Sequence, residues 1–172
     1  RVQIVDLERL TKPLVFVDSN TLNQGHPCVT TEFENAVQTA LHYLRKQGCT
    51  TIGLLTGEEK TTDLLESIPD PRRRAYRNYC IERNIYHPEL ILTGSFTAQS
   101  GYDLISSKLQ SGSPFPDAYF VASDSLAIGA LRAFQEAGIK VPDDIQLISF
   151  NDTSLAKQVF PPLSTITVFT EE

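Results

Sequence analysis

No methionine occurs in this 172-residue sequence, which opens on the apolar alternation Arg1-Val2-Gln3-Ile4-Val5, so it reads as a segment of a longer protein. No apolar run approaches the ~20 residues of a membrane span. No charged region followed by an apolar one opens the chain, so a signal peptide is not expected in it. Cysteine is scarce: Cys28, Cys49 and Cys80 are an odd set with no CxxC pair. That excludes a disulfide framework and suits reduced, partly buried thiols in a cytoplasmic protein. Positive charge is also in deficit, 15 basic against 21 acidic residues for a net −6, which argues against a broad phosphate-gripping surface. Enzyme signatures are missing: there is no GxSxG, GxxxxGK[ST], GxGxxG or HExxH. His26, His42 and His87 share no ligand spacing. Neither a metal nor a cofactor is expected, and the chain is not read as an enzyme.

What is present is the composition of an ordinary globular domain, 41% hydrophobic and 21% charged. Short apolar runs alternate with amphipathic stretches throughout. Leu14 to Val17 reads as a strand, followed by a polar loop through Gly25 and Pro27. Thr31 and Glu34 have the spacing of a capping box before a helix that Gly48 closes. Thr51 to Thr56 is a second strand, and a long polar loop leads to Asp70-Pro71, read as N-cap and first helical residue. The helix from Arg72 carries Ala75, Tyr76, Tyr79 and Cys80 on one face. Leu90 to Leu92 is a third strand, and the next helix buries Tyr102, Ile105 and Leu109. Ala118 to Val121, Ile145 to Phe150 and Leu163 to Phe169 complete the strands, with a helix ending at Gly138 after the first of these. Strands alternating with helices of roughly 10–15 residues predict an α/β fold with a doubly wound parallel sheet.

In such a sheet the ligand crevice lies beyond the carboxyl ends of the strands. Those ends carry Asp18, Thr56-Gly57, Phe96, Ser123-Asp124 and Asn151-Asp152, with Arg72 to Arg74 opening a helix nearby. Carboxylate, amide and hydroxyl groups pair with vicinal hydroxyls, a guanidinium forks across two, and a ring packs on C–H faces. The set suits a small polyhydroxylated ligand. Each residue also has a structural alternative: Asp124 as a helix N-cap, the arginine run as a solvated face with one member inward, Phe96 as a plug of the core or a subunit contact.

The order of segments resembles the LacI/GalR family of bacterial transcription repressors. Pro13-Leu14-Val15-Phe16-Val17-Asp18, Leu41 to Gly48 and Ile52 to Gly57 follow its pattern. Arg72-Arg73-Arg74-Ala75-Tyr76 is similar to its R-x-x-G-[FYW] element. Pro116 to Leu131, Gly138 to Ile145, Ser149 to Asp152 and Phe160-Pro161-Pro162-Leu163-Ser164-Thr165-Ile166 are similar in the same order. The resemblance runs from Pro13 to Ile166.

It implies a periplasmic-binding-protein-like effector domain, mainly the second lobe of two. Residues 1–30 would be a remnant of the first effector lobe, 31–160 the second lobe, and 161–172 a hinge crossover and strand returning toward the first. The implied partners are a sugar effector, a second copy in a homodimer, and operator DNA through an N-terminal headpiece not in this chain. The implied effector-binding residues are Asp18, Arg72, Phe96, Ser123 and Asn151. Ala75 stands where the family has Gly, which leaves the register among Arg72, Arg73 and Arg74 open. Ser123 stands where Asn is common and Asn151 where Asp is common, so the effector cannot be copied from a relative; a galactoside follows only family frequency. Two other readings fit the same lobe: a sugar-binding protein feeding a transporter, and, less well, a small α/β enzyme.

Overall fold

Among the described residues, four helices and a sheet of five parallel strands carry the fold, and their faces follow from the alternation of apolar side chains. The computed structural model describes residues 12–17, 25–60 and 67–169. The elements in chain order are β1 (Phe16–Val17), β2 (Cys28–Val29), α1 (Phe33–Lys46), β3 (Ile52–Gly57), β4 (Glu59–Lys60), β5 (Ser67–Ile68), α2 (Pro71–Glu82), β6 (Ile91–Gly94), α3 (Ala98–Ser111), β7 (Ala118–Val121), α4 (Asp124–Glu136), β8 (Gln146–Asn151) and β9 (Ser164–Thr167). Two 3-10 turns, Pro88–Leu90 and Ser154–Lys157, precede β6 and β9.

The main sheet has five strands in the order β6-β3-β7-β8-β9, every pair parallel. Successive strand residues serve opposite faces. Leu54, Phe120 and Phe150 face α1 and α2, packing with Leu41, Leu44 and Tyr76. Leu55, Tyr119 and Val121 face α3 and α4, packing with Ile105, Leu126 and Phe134. The doubly wound α/β expectation is therefore met, with helices on both faces. Burial pushes the Cys80 thiol up to about 11, so it stays protonated. At about pH 8, thiol reagents are expected to spare Cys80 until the chain unfolds, as read by mass spectrometry of the labelled protein.

Several boundaries differ from the sequence reading. Thr31 and Glu34 make no capping box. Glu32 holds the N-cap position of α1 without a side-chain bond, and the Thr31 carbonyl accepts from Phe33 N at 2.9 Å. Among the described residues the first strand is Phe16–Val17, without Leu14 and Val15, and it pairs in parallel with Cys28–Val29. The long polar loop before Asp70 contains the antiparallel pair β4–β5. On α3, Gly101, Ile105 and Lys108 are buried, while Tyr102 and Leu109 are half-buried. Asp70 caps α2 as the sequence suggests, its side chain accepting from Arg72 N.

Helices α3 and α4 approach at two glycines. A Cβ on Gly129 would meet the Ala98 carbonyl oxygen, and one on Gly101 would meet that of Leu126. Backbone sits where a side chain would be, so the helices cannot yield locally. Gly129→Ala is expected to lose about 1–3 kcal/mol in a urea melt despite alanine's better helix propensity.

Candidate functional site

All five strands of the main sheet end at one edge, and a cavity of about 630 Å³ opens there. Thr31 and Phe33 at the start of α1, Arg72 at the start of α2, and Phe150 to Thr153 at the end of β8 form its wall, with Thr167 from β9.

Arg72 is the most tightly fixed group in that wall. Its Nε donates to Asp70 Oδ1 at 2.8 Å and its Nη1 to the Ala122 carbonyl at 2.7 Å. The guanidinium carbon lies 4.9 Å from the Phe96 ring centre and 5.7 Å from those of Phe33 and Phe150. Among the described residues, no acceptor meets Nη2. The side chain is only 17% exposed, so the free N–H groups point into a bounded space. The other two arginines are not in this wall: Arg73 makes a 3.6 Å ion pair with the exposed Glu58, and Arg74 is exposed. Of the three arginines, Arg72 is the one in the cavity wall.

Asp70 does more than cap α2. Its Oδ1 accepts from the Arg72 backbone and Nε, while Oδ2 accepts from the buried Thr56 hydroxyl at 3.0 Å. It is 7% exposed, so the carboxylate and guanidinium compensate one another in a partly dry setting. Asp70→Asn removes that compensation and one acceptor from a shared site. We expect Arg72 to lose its fixed pose and ligand affinity to fall by roughly tenfold, read by calorimetric titration.

Asn151 ends β8 with φ 111°, and Asp152 follows with φ 55°. Both lie in the left-handed half of backbone space, which Asn and Asp tolerate better than most residues. Asp152 is held by Thr167 Oγ1 donating to its Oδ2 at 3.0 Å, and it pairs with Lys157 at 3.3 Å. The Asn151 amide is exposed at the cavity and is engaged by no other described side chain.

The remaining expected residues fall elsewhere. Phe96 stands behind Arg72 as a stacking surface, not in the cavity wall. Ser123 is buried, and as N-cap of α4 its Oγ accepts from Leu126 N at 3.4 Å. It takes the capping position the sequence offered to Asp124. Asp124 is the first helical residue, 1% exposed, and its carboxylate accepts from Ser149 Oγ, Thr153 N and Thr165 Oγ1. Its role is a tie between helix, loop and edge strand. Asp18 lies outside the described residues. The sequence reading missed Thr31, Phe33, Phe150, Thr153 and Thr167 as wall residues. Phe33 and Phe150 carried only a core signal, and Thr31 a false capping signal. Among the described residues, no group of three or more His, Cys, Asp and Glu is placed to hold a metal, and no helix is long and apolar enough to cross a membrane.

A sequence profile of the periplasmic binding protein-like domain matches residues 41–172. The chain belongs to that family. The resemblance to LacI/GalR regulators is borne out by individual proteins. This periplasmic binding protein-like domain is 73% identical to the HTH-type transcriptional regulator GalR of Streptococcus thermophilus, over 100% of the chain and 52% of that protein. Among solved structures, it matches the lac repressor dimer bound to operator and the anti-inducer ONPF, at 27% identity and a TM-score of 0.80, covering 96% of this chain and 55% of that one. It also matches a LacI family transcriptional regulator from Lactobacillus casei with bound sucrose, at 27% identity and a TM-score of 0.74, covering 88% and 55%. The chain spans about half the length of the curated relatives it matches. These relatives are named as transcriptional regulators, not as enzymes.

Proposed function

We propose that this domain is the effector-binding part of a cytoplasmic transcription repressor, and that its effector is a neutral mono- or oligosaccharide held at the strand-end cavity. The whole protein would act as a homodimer, gripping operator DNA through a separate headpiece and switching with the sugar. The domain itself performs no catalysis in this reading. The division into a first-lobe remnant (1–30), a second lobe (31–160) and a hinge crossover (161–172) belongs to the same proposal, as do effector contacts from Asp18, Arg72 and Asn151. Phe96 and Ser123 act behind the contact surface, one by stacking on Arg72 and the other by capping α4.

The observation that carries the reading is the state of Arg72. Its charge is already matched by Asp70, as that of Asp152 is by Lys157, so the wall presents hydrogen-bonding capacity with little net charge. The free Nη2 donors, the Asn151 amide and the flanking rings of Phe33 and Phe150 fit the hydroxyls and C–H faces of an uncharged sugar. The relatives support the regulatory part, the named GalR above all.

Thermal melting of the full-length protein with a panel of sugars tests it. Galactosides come first in the panel, beside glucosides, sucrose and sugar phosphates. A neutral sugar at a hundredfold excess over its Kd is expected to stabilise by about 2.7 kcal/mol, a rise of several degrees. If sugar phosphates alone shift the melt, the effector is anionic and the charge argument is wrong. If nothing shifts it, sugar sensing through this cavity is wrong.

A further inference from the structure

Thr56-Gly57 ends β3 at the cavity edge of the sheet, yet neither residue lies in the cavity wall. Each instead meets a group that holds Arg72. Thr56 is fully buried, and its hydroxyl has a single proton to give. The Gly57 carbonyl lies at 3.4 Å and Asp70 Oδ2 at 3.0 Å, so the nearer, charged acceptor takes it. Asp70 Oδ1 is left for the Arg72 backbone N and Nε, at 3.0 and 2.8 Å. The bonds that start at the Thr56 hydroxyl thus end on the Nε edge of the guanidinium.

Gly57 works through the ring that stacks on the same guanidinium. A Cβ on Gly57 would stand 2.6 Å from Phe96 Cδ2, 2.7 Å from its Cγ and 2.8 Å from its backbone N. Those distances are closer than carbon atoms pack, so the position needs glycine for a close approach. The half-buried Phe96 ring lies against the bare Cα and from there comes within 4.9 Å of the Arg72 guanidinium carbon. Gly57 is also in register with Gly94 on β6, so the loop that carries Phe96 leaves the sheet beside it.

We infer that Thr56 and Gly57 are positioning residues for the effector, Thr56 fixing the edge of Arg72 through Asp70 and Gly57 its face through Phe96. The inference rests on the sugar reading of the cavity and adds two residues that set affinity there without touching the ligand. An arginine side chain has much rotamer freedom to lose. Freedom already lost in the empty domain is not lost again when the sugar binds, so the free Nη2 donors are presented ready oriented.

Two measurements on the full-length protein test this: the resonance and solvent exchange of the unliganded Arg72 Nε–H, and calorimetric titration with methyl β-galactoside. Thr56→Val swaps the hydroxyl for a methyl of the same shape. It is expected to speed Nε–H exchange and to weaken the galactoside, each roughly tenfold. Thr56→Ser keeps the hydroxyl and is expected to hold both within about threefold. Gly57→Ala, whose methyl displaces Phe96, should shift the Arg72 resonance and weaken the galactoside by a similar factor. Phe96→Leu removes the same stacking without crowding and serves if Gly57→Ala does not fold. A Thr56→Val protein that melts lower but keeps the wild-type Arg72 resonance and exchange overturns the edge role. A wild-type Arg72 resonance in Gly57→Ala and Phe96→Leu overturns the face role. If the resonance responds as expected while methyl β-galactoside fails to bind even the wild type, the hold on Arg72 stands and the galactoside assignment is what fails.

Discussion

Arg72→Ala is expected to abolish the sugar-induced rise in melting temperature while leaving the unliganded melt within a few degrees of wild type. The affinity loss follows from the free Nη2 donors, whose two charge-assisted bonds to hydroxyls together represent about 3 kcal/mol or more, roughly two orders of magnitude in Kd. The small stability cost follows from the partners left behind. Asp70 keeps the Thr56 hydroxyl and the backbone N of residue 72, so its carboxylate is not stranded. Phe96 loses a stacking partner, and the Ala122 carbonyl loses one donor. Arg72→Lys should not rescue, because an ammonium cannot hold Asp70 and Ala122 while offering a second planar edge. Arg73→Ala is the control, since among the described residues its only ion pair is the surface contact to Glu58. A sugar response that survives Arg72→Ala and fails in Arg73→Ala would place the ligand elsewhere.

The largest effect on folding is expected at Asp124. Removing its carboxylate leaves Thr165 Oγ1 and Thr153 N short of an acceptor in a partly buried region, and leaves the buried Ser149 Oγ only the Ser164 carbonyl at 3.5 Å. Each such loss is about 1–3 kcal/mol, and neighbours in one network do not simply add. Asp124→Ala should therefore destabilise by about 3–5 kcal/mol, lowering the melting temperature by roughly 10 °C for a domain of this size. Asp124→Asn should recover only part of this, because its amide nitrogen turns a donor toward one of the three donors. The same change loosens the Asn151–Thr153 turn, so sugar affinity falls along with stability. A wild-type melt for Asp124→Ala would show that the loop and edge strand are held by packing alone.

How much of this could be read from the sequence depends on whether the relevant contact is local. The strands at Ile52, Ala118 and Gln146 were legible because they are unbroken apolar runs covered on both faces. The start of α2 was legible because Asp70 bonds to a backbone N–H two residues away. Ser123 and Asp124 are both cap-competent residues, and spacing could not choose between them. The choice is made by Ser149 and Thr165, 25 and 41 positions on, which draw Asp124 inward. The Thr31–Glu34 spacing misled for a similar reason: Thr31 belongs to the cavity wall. The β4–β5 pair has two residues per strand and no alternation to betray it. Arg72 could be found from its motif, but the second role of Asp70 and the wall positions of Phe33 and Phe150 exist only once the strands are assembled.

The tie at Asp124 also sets an order of events as the chain leaves the ribosome. Helix α4 is complete before any of its carboxylate's acceptor-seeking partners has been made, and the last of them, Thr165, comes 41 residues later. At roughly 5–20 residues per second that is a wait of a few seconds. Through that interval the helix N-terminus carries a charge that belongs in the interior but has nothing there to receive it. The half-made domain is therefore open at the β8–β9 edge until β9 arrives, and that edge is where nascent chains would meet a chaperone or each other.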